Sequence, residues 1–477
     1  MSEEMQKLPL TQKIGYGFGD LASCLFWSTI STYLLYFYTD VFGLTAAAAG
    51  LMFFVSRFSD AIFDVVMGML ADRTKSRWGR FRPYLLWLAI PMGVGAILAF
   101  TTPSFGGAGK IIYAYITYIL FMFLYSAINI PYTALLGVIS SDPAERSDAA
   151  TSKFIGAYLG GIIVSATALP LATHYLGHGN EARGWQLTLT VYSIAAALFF
   201  FITFLSTRER VQPIATEKVA VKDDLGDLVH NGPWIALFAV TILLILFVCI
   251  RSSITTHYFK YYVGTQEVNL FGKMHHFGFA ELTSAFNTVG QIASLVGTAM
   301  VPLVTRIIGR KRATLLLFIT ALICTGAYYF LRPQDLILIF GLNIIGSLVG
   351  GPISALLWIM YADTADYSEW KTGRRATGLV FSASIMSNKM GWAVGSMIAA
   401  WILGTTGFVP NVVQTPAVLN GLKGMMSLIS VVPGVIAVIV LAFFYRLDEK
   451  TMADVKAELD ERRKAGGAGA PAVAALA

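Results

Sequence analysis

The chain is 477 residues long, 56% hydrophobic and 13% charged, with a mean hydropathy of +0.65, whereas a water-soluble domain carries about 25% charged residues. That balance excludes an ordinary soluble fold. The basic residues behind the net charge of +7 fall in short clusters between apolar runs, which argues for membrane topology signals and against a nucleic-acid partner.

The first ten residues, MSEEMQKLPL, hold no apolar core before a small-residue cleavage site, so no removable signal peptide is expected and the first apolar run does the targeting. Apolar runs long enough to cross a bilayer as helices follow at 14–41, 45–71, 83–102, 111–138, 149–174 and 186–206. A mixed-charge polar connector occupies 207–233, and six further runs lie at 234–262, 278–305, 312–331, 335–361, 376–403 and 424–445. The expected fold is therefore an all-α polytopic membrane protein with twelve transmembrane helices in two six-helix halves, 1–206 and 234–446, and a tail at 447–477. Short internal repeats support the division: TALLGVISSD at Thr133–Asp142 matches SALLWIMYAD at Ser354–Asp363, and the basic stretch after the second run matches the one after the eighth.

Lys and Arg concentrate in alternate loops, at Arg73–Arg82, Arg208–Lys222, Arg306–Arg312 and Lys371–Arg375. The positive-inside rule assigns those loops and both termini to the cytoplasm. The tail carries Met452, Val455 and Leu459 at helical spacing and is expected to lie on the membrane surface or to dangle. Cys24, Cys249 and Cys324 are odd in number and each sits inside an apolar run, so neither a disulfide framework nor a CxxC metal site is offered.

Ionisable groups inside membrane helices are costly and mark candidate sites. In the second run Arg57, Asp60 and Asp64 stand at i, i+3 and i+7, on one helical face. Two carboxylates one turn apart repel, which raises the affinity of that face for a proton or small cation; Arg57 can neutralise one, and a structural bridge between helices is the alternative reading. In the fourth run Ser126, Asn129 and Thr133, beside Tyr125, share a face that suits a hydrated cavity or helix-to-helix hydrogen bonds. Lys389 in the eleventh run needs an anionic partner, either Asp60 or Asp64 across the interface or a local one. Asp20, Lys153, Arg251, Asn287 and Gln291 are further polar candidates, and His257 reads as a packing residue. The aromatic residues Tyr33, Tyr36, Phe37, Tyr38, Trp358 and Trp392 offer ring-stacking faces or an interfacial belt. GYGFGD at Gly15–Asp20 lacks the preceding strand and the following GK[ST] of a phosphate loop, and no HExxH or GxSxG is present, so neither an enzyme nor a cofactor is implied.

As an ordered set, YGFGD at Tyr16–Asp20, YTDVFGL at Tyr38–Leu44, RFSDAIFD at Arg57–Asp64, DRTKSRWGRFRP at Asp72–Pro83 and ADTADYSEWKTGRR at Ala362–Arg375 resemble the glycoside/pentoside/hexuronide cation symporters, the melibiose permease-like family of the major facilitator superfamily. The resemblance covers nearly the whole chain. It implies cation binding at Asp60 and Asp64 with a hydroxyl from Ser126, and a partnered lysine at Lys389. It places sugar-site positions at Asn129, Thr133, Lys153 and Cys24, with Asp20 one turn from Cys24; the polar residues of the spans themselves add Tyr125, Arg251 and Lys389 as candidate substrate contacts. Phe63 stands where the pattern has a side-chain amide between the two acids, which weakens sodium and favours a proton; Asn129 and Cys24 replace two sugar-binding acids, which points away from galactosides. The expected activity is cation-coupled symport, with proton or sodium, of a sugar or glycoside by alternating access in a bacterial inner membrane, with membrane lipid as the surrounding partner. A lysolipid or other amphiphile carrier of the same superfamily is the alternative, and a sugar sensor that moves nothing is a third.

Overall fold

The computed structural model describes residues 7–140, 142–210, 231–270, 273–372, 377–447 and 449–468. Most of the connector, Arg374, Arg375 and the end of the tail lie outside the described residues. Helices occupy every expected span: α1 (Leu10–Tyr36), α2 (Ala46–Arg73), α3 (Arg82–Trp87) with α4 (Ala89–Ala99), α5 (Gly107–Val138), α6 (Pro143–Pro170) and α7 (Glu181–Ser206). Then come α8 (Gly232–His257), α9 (Phe279–Ala299) with α10 (Val301–Ile308), α11 (Arg310–Ala327), α12 (Leu336–Thr372), α13 (Thr377–Thr405), and α14 (Pro416–Met426) with α15 (Leu428–Phe443). Among the described residues eight helical stretches are long and apolar enough to cross a membrane, and the bent pair α9–α10 makes a ninth. The other three expected spans, α1, α3–α4 and α13, are more polar or shorter.

Three spans expected to be continuous are broken, two of them at proline. Pro91 has no N–H for the Trp87 carbonyl, and the third span divides at Leu88. Pro302 likewise cannot serve the Thr298 carbonyl, and the eighth bends by 50° at Met300. The twelfth begins earlier than expected, capped by Thr415, and leaves helical geometry at Ser427, whose hydroxyl turns back to the Lys423 carbonyl at 2.6 Å. Between α8 and α9 an unexpected antiparallel hairpin pairs β1 (Gln266–Leu270) with β2 (Lys273–Phe277). The tail corrects another expectation: α16 (Glu449–Ala468) buries Met452, Val455 and Leu459 and packs against α12. Docking covers apolar area that a dangling helix would leave in water.

Helix pairs recur across the chain. α1 lies on α6 as α8 lies on α13, α2 on α5 as α9 on α12, and α2 meets α13 as α9 meets α6. Pro131 in α5 and Pro352 in α12 sit at matching places in the repeat. The basic loops repeat too: Glu209 accepts the Arg80, Phe81 and Arg82 amides at 2.8, 2.7 and 3.0 Å, while Glu449 accepts the Lys311 amide at 3.3 Å. Gly79 at φ +107° and Gly309 at φ +80° make room for those carboxylates, since a Cβ would fall 2.4 and 2.3 Å from them.

The apolar core is unequal along the membrane normal. At the hairpin end one continuous cluster joins α1–α7 to Ile250–Val263, Ala280–Phe286, Tyr328–Ile339 and Ala399–Met426. Toward the basic-loop end the parts of α8, α11, α12 and α15 form a separate cluster with Met452. The molecule is thus welded at the hairpin end and divided at the other.

Candidate transport site

α2 is patterned inversely to a soluble helix. Phe58, Ile62 and Val65 face outward at 65%, 58% and 65% exposure, while Arg57 and Asp60 are buried. In a bilayer the lipid takes the apolar face, and charges turn inward to find partners. The inward face meets α5 and α13. Ser126 donates to Asp60 Oδ1 at 2.5 Å, and Lys389 reaches Asp60 Oδ2 at 3.1 Å and also pairs with Asp64. Asp64 Oδ1 is buried, and among the described residues no donor reaches it. The three expected cation-site residues and the expected lysine therefore form one cluster, with Lys389 bridging both acids instead of choosing one.

Arg57 does not neutralise either acid, as the helix spacing suggested. Its guanidinium lies 4.6 Å from the Trp27 ring centroid, and among the described residues it makes no ion pair within 4.0 Å. Trp27 also stacks on Tyr125 at 5.8 Å and meets Trp392 edge-on at 5.7 Å, so it links α1, α2, α5 and α13. The sequence reading passed over Trp27; its one signal is a tryptophan two turns beyond Asp20 on the same helix. Phe63, where an amide oxygen was missed, stacks on Phe123 at 4.5 Å and supplies no ligand.

The sugar-site candidates divide. Asn129 accepts from Ser23 at 2.7 Å and donates to the Tyr125 carbonyl at 2.9 Å, which orients its amide and uses one of its two donors and one of its two acceptor sites. Asp20 and Lys153 face each other at 4.0 Å, with Lys153 over the Tyr132 ring at 5.4 Å. Thr133 is exposed and stands outside these contacts. Ile385 and Met386, one turn before Lys389 on α13, are exposed, and the Ser382 side chain lies outside the described residues. Arg251 is elsewhere: it donates to Asn343 at 3.3 Å, lies 4.9 Å from the Tyr328 ring, and lines a cavity of about 380 Å³ with Asn287, Gln291, Thr32 and Tyr158. Among the described residues no carboxylate pairs with Arg251. His257 is a buried, hydrogen-bonded residue, and its partners belong to a polar cluster around Asp40. Among the described residues no group of three or more His, Cys, Asp or Glu is placed to hold a metal ion.

This arrangement, acids and a lysine buried between helices and a separate polar cavity around Arg251, suits a carrier. The MFS/sugar transport protein family matches residues 15–449. The putative glycoside/cation symporter YagG of Escherichia coli (strain K12) is 36% identical, covering 99% of this chain and 100% of its own. The isoprimeverose transporter of Lactiplantibacillus pentosus is 34% identical over 94% of this chain and 92% of its own. Among solved structures, a bacterial homologue of the human lysosomal transporter Spinster, inward-facing and occupied, aligns with a TM-score of 0.66 at 15% identity over 93% of this chain and 97% of that one. The chain is accordingly an all-α, multi-pass membrane transport protein and not an enzyme, and it belongs to the MFS/sugar transport protein family.

Proposed function

We propose that the chain is a secondary active transporter that brings in a sugar or glycoside together with a cation, by alternating access between two six-helix halves, 1–206 and 234–446, joined by the connector 207–233 and followed by the tail 447–477. The carrying observation is the bridge of Lys389 to both Asp60 and Asp64. Arg57, Asp60, Asp64 and Lys389 sum to zero charge, so Lys389 serves as an internal counter-ion when no coupling ion is bound. A cation arriving at the acids replaces it and frees its ammonium toward the substrate path. The two carboxylates are thus compensated in both states, by Lys389 when empty and by the cation when loaded, so the carrier crosses between its faces without a buried carboxylate left unpaired.

A proton is the better-supported ion. It needs one carboxylate, whereas sodium needs several oxygens, and Phe63 contributes none. The substrate is a polyhydroxylated glycoside held between the Asp20, Tyr125, Asn129, Thr133 and Lys153 side and the Arg251 and Lys389 side; the names of the relatives support that class. The basic loops and both termini face the cytoplasm of a bacterial inner membrane, which makes the described state cytoplasm-facing.

The test is counterflow in proteoliposomes over pentosides, hexosides, hexuronides and a lysolipid, followed by uptake driven by a proton or a sodium gradient. Exchange of one glycoside with gradient-driven accumulation is expected. Lysolipid exchange with silence on every sugar overturns the reading.

A further inference from the structure

We propose that Asp40, with His257, Lys260, Tyr261 and Asn411, forms the latch that shuts the hairpin end, and that undoing it is the step that opens the site to that side; the inference rests on alternating access but not on which substrate is carried. Asp40 has no exposed side-chain surface, yet it is crowded with donors from across the interface. Lys260 reaches Oδ1 at 2.9 Å and Tyr261 donates to the same oxygen, while His257 Nε2 lies 3.1 Å from Oδ2 and Thr39 donates there at 2.8 Å. Asn411, in the α13–α14 loop, donates to the Asp40 backbone carbonyl at 2.8 Å and accepts from Lys260 at 2.8 Å. Lys260 also meets the Tyr36 hydroxyl at 3.3 Å, which in turn donates to Glu181 at 2.8 Å.

The backbone shows that this meeting point is built. α1 ends in a π-helical turn, Phe37–Val41, and α8 in another, Tyr258–Val263. Asp40 sits on the first; Lys260 and Tyr261 sit on the second. Each closes with an i→i−5 bond, Phe42 N to Phe37 O at 2.7 Å and Gly264 N to Phe259 O at 2.8 Å, and each is followed by a glycine at positive φ, Gly43 at +84° and Gly264 at +68°. π-turns are uncommon and gather at functional positions. Two at matching places in the repeat, turned toward each other, set the acid against its donors. Charge-assisted bonds in a buried site are strong when complete and costly when one partner is removed, so the contact behaves as a catch with two states.

The test uses the full chain with Cys24, Cys249 and Cys324 replaced, in a background that keeps counterflow. Spin labels go at Phe105 and Val413, exposed residues of two loops at the hairpin end. The parent should give one short distance. Asp40→Asn and Lys260→Met should each add a longer component, at least several-fold above the parent's fraction, while Lys260→Arg restores the short one. Lys110→Met, which removes a cation 5.1 Å from the Phe42 ring at the same end without breaking a bond across the interface, should leave it unchanged. If Asp40→Asn fails to fold, Lys260→Met and Tyr261→Phe carry the test. Folded variants that keep the parent distribution overturn the latch even where counterflow proceeds; a shifted distribution in a protein that exchanges no glycoside keeps the latch and removes the proposed substrate.

Discussion

Two knots of charge hold helices together, one between the ends of α1 and α8 and the other between α2 and α13, and their stoichiometries differ. Around Asp40 one carboxylate meets Lys260, His257, Tyr261 and Thr39, so donors outnumber acceptor oxygens. Around Lys389 the order is reversed: among the described residues two carboxylates share one ammonium and one hydroxyl, and no donor reaches Asp64 Oδ1. A saturated acid has no reason to recruit a further cation and is suited to holding surfaces shut. An undersupplied pair, partly accessible at Asp64, is suited to exchanging its lysine for an ion. Chemistry of one kind thus yields a fastener in one place and a binding site in the other, decided by how many donors each acid is given.

The largest effect that tests this contrast is at Asp64. Asp64→Asn removes the undersupplied charge, so Lys389 is satisfied by Asp60 alone and no coupling ion is called for. Gradient-driven accumulation should fall to background while glycoside counterflow, which needs no net cation movement, survives. Concentrative uptake by that variant would place the coupling site elsewhere. Next comes Ser126→Ala, which deletes the hydroxyl on Asp60; hydrogen bonds to charged groups contribute about 1.5–3 kcal/mol. For a proton the concentration for half-maximal uptake should fall by roughly tenfold or more, because the lost hydroxyl no longer favours the ionised carboxylate; for sodium, which would lose an oxygen ligand, it should rise. An unchanged ion dependence would make Ser126 a packing residue.

Much of this was written in residue spacing. Twelve apolar runs place the helices, and Arg57, Asp60 and Asp64 announce an inward-facing charged stripe because lipid tolerates no other arrangement. What spacing cannot give is the partner across the interface. Arg57 is the nearer cation to the acids along the chain, yet it turns to Trp27 and the lysine 325 residues beyond Asp64 takes the site. Asp40 looked like one letter of a motif because its partners on α8 lie 217 or more positions away, at or beside a turn whose π geometry carries no strong sequence mark. The docked tail was missed for a similar reason: helical spacing of Met452, Val455 and Leu459 shows an apolar face but not what covers it.

A smaller effect is expected at Arg251, which belongs to neither knot. Its guanidinium fits between Asn343 and the Tyr328 ring, a planar arrangement that an ammonium cannot reproduce. Arg251→Lys should raise the glycoside concentration for half-maximal counterflow by a few fold and leave the ion dependence alone. Were the ion dependence to move as well, Arg251 would have to be counted with the Lys389 cluster.

Leu459 marks the lower limit. It is 4% exposed, buried where α16 packs on α12, and lies at the basic-loop end, remote from the Asp40 latch. Leu459→Ala removes apolar packing from a docked helix; a fully enclosed leucine costs about 2–5 kcal/mol on such truncation, and one at the edge of the fold should cost less. Thermal unfolding in detergent should therefore move down by a few degrees, with counterflow and ion dependence as in the parent. A fall in transport rate without loss of stability would mean that α16 must shift whenever the divided end closes. The tail would then be a third contact controlling access, at the opposite end from the latch.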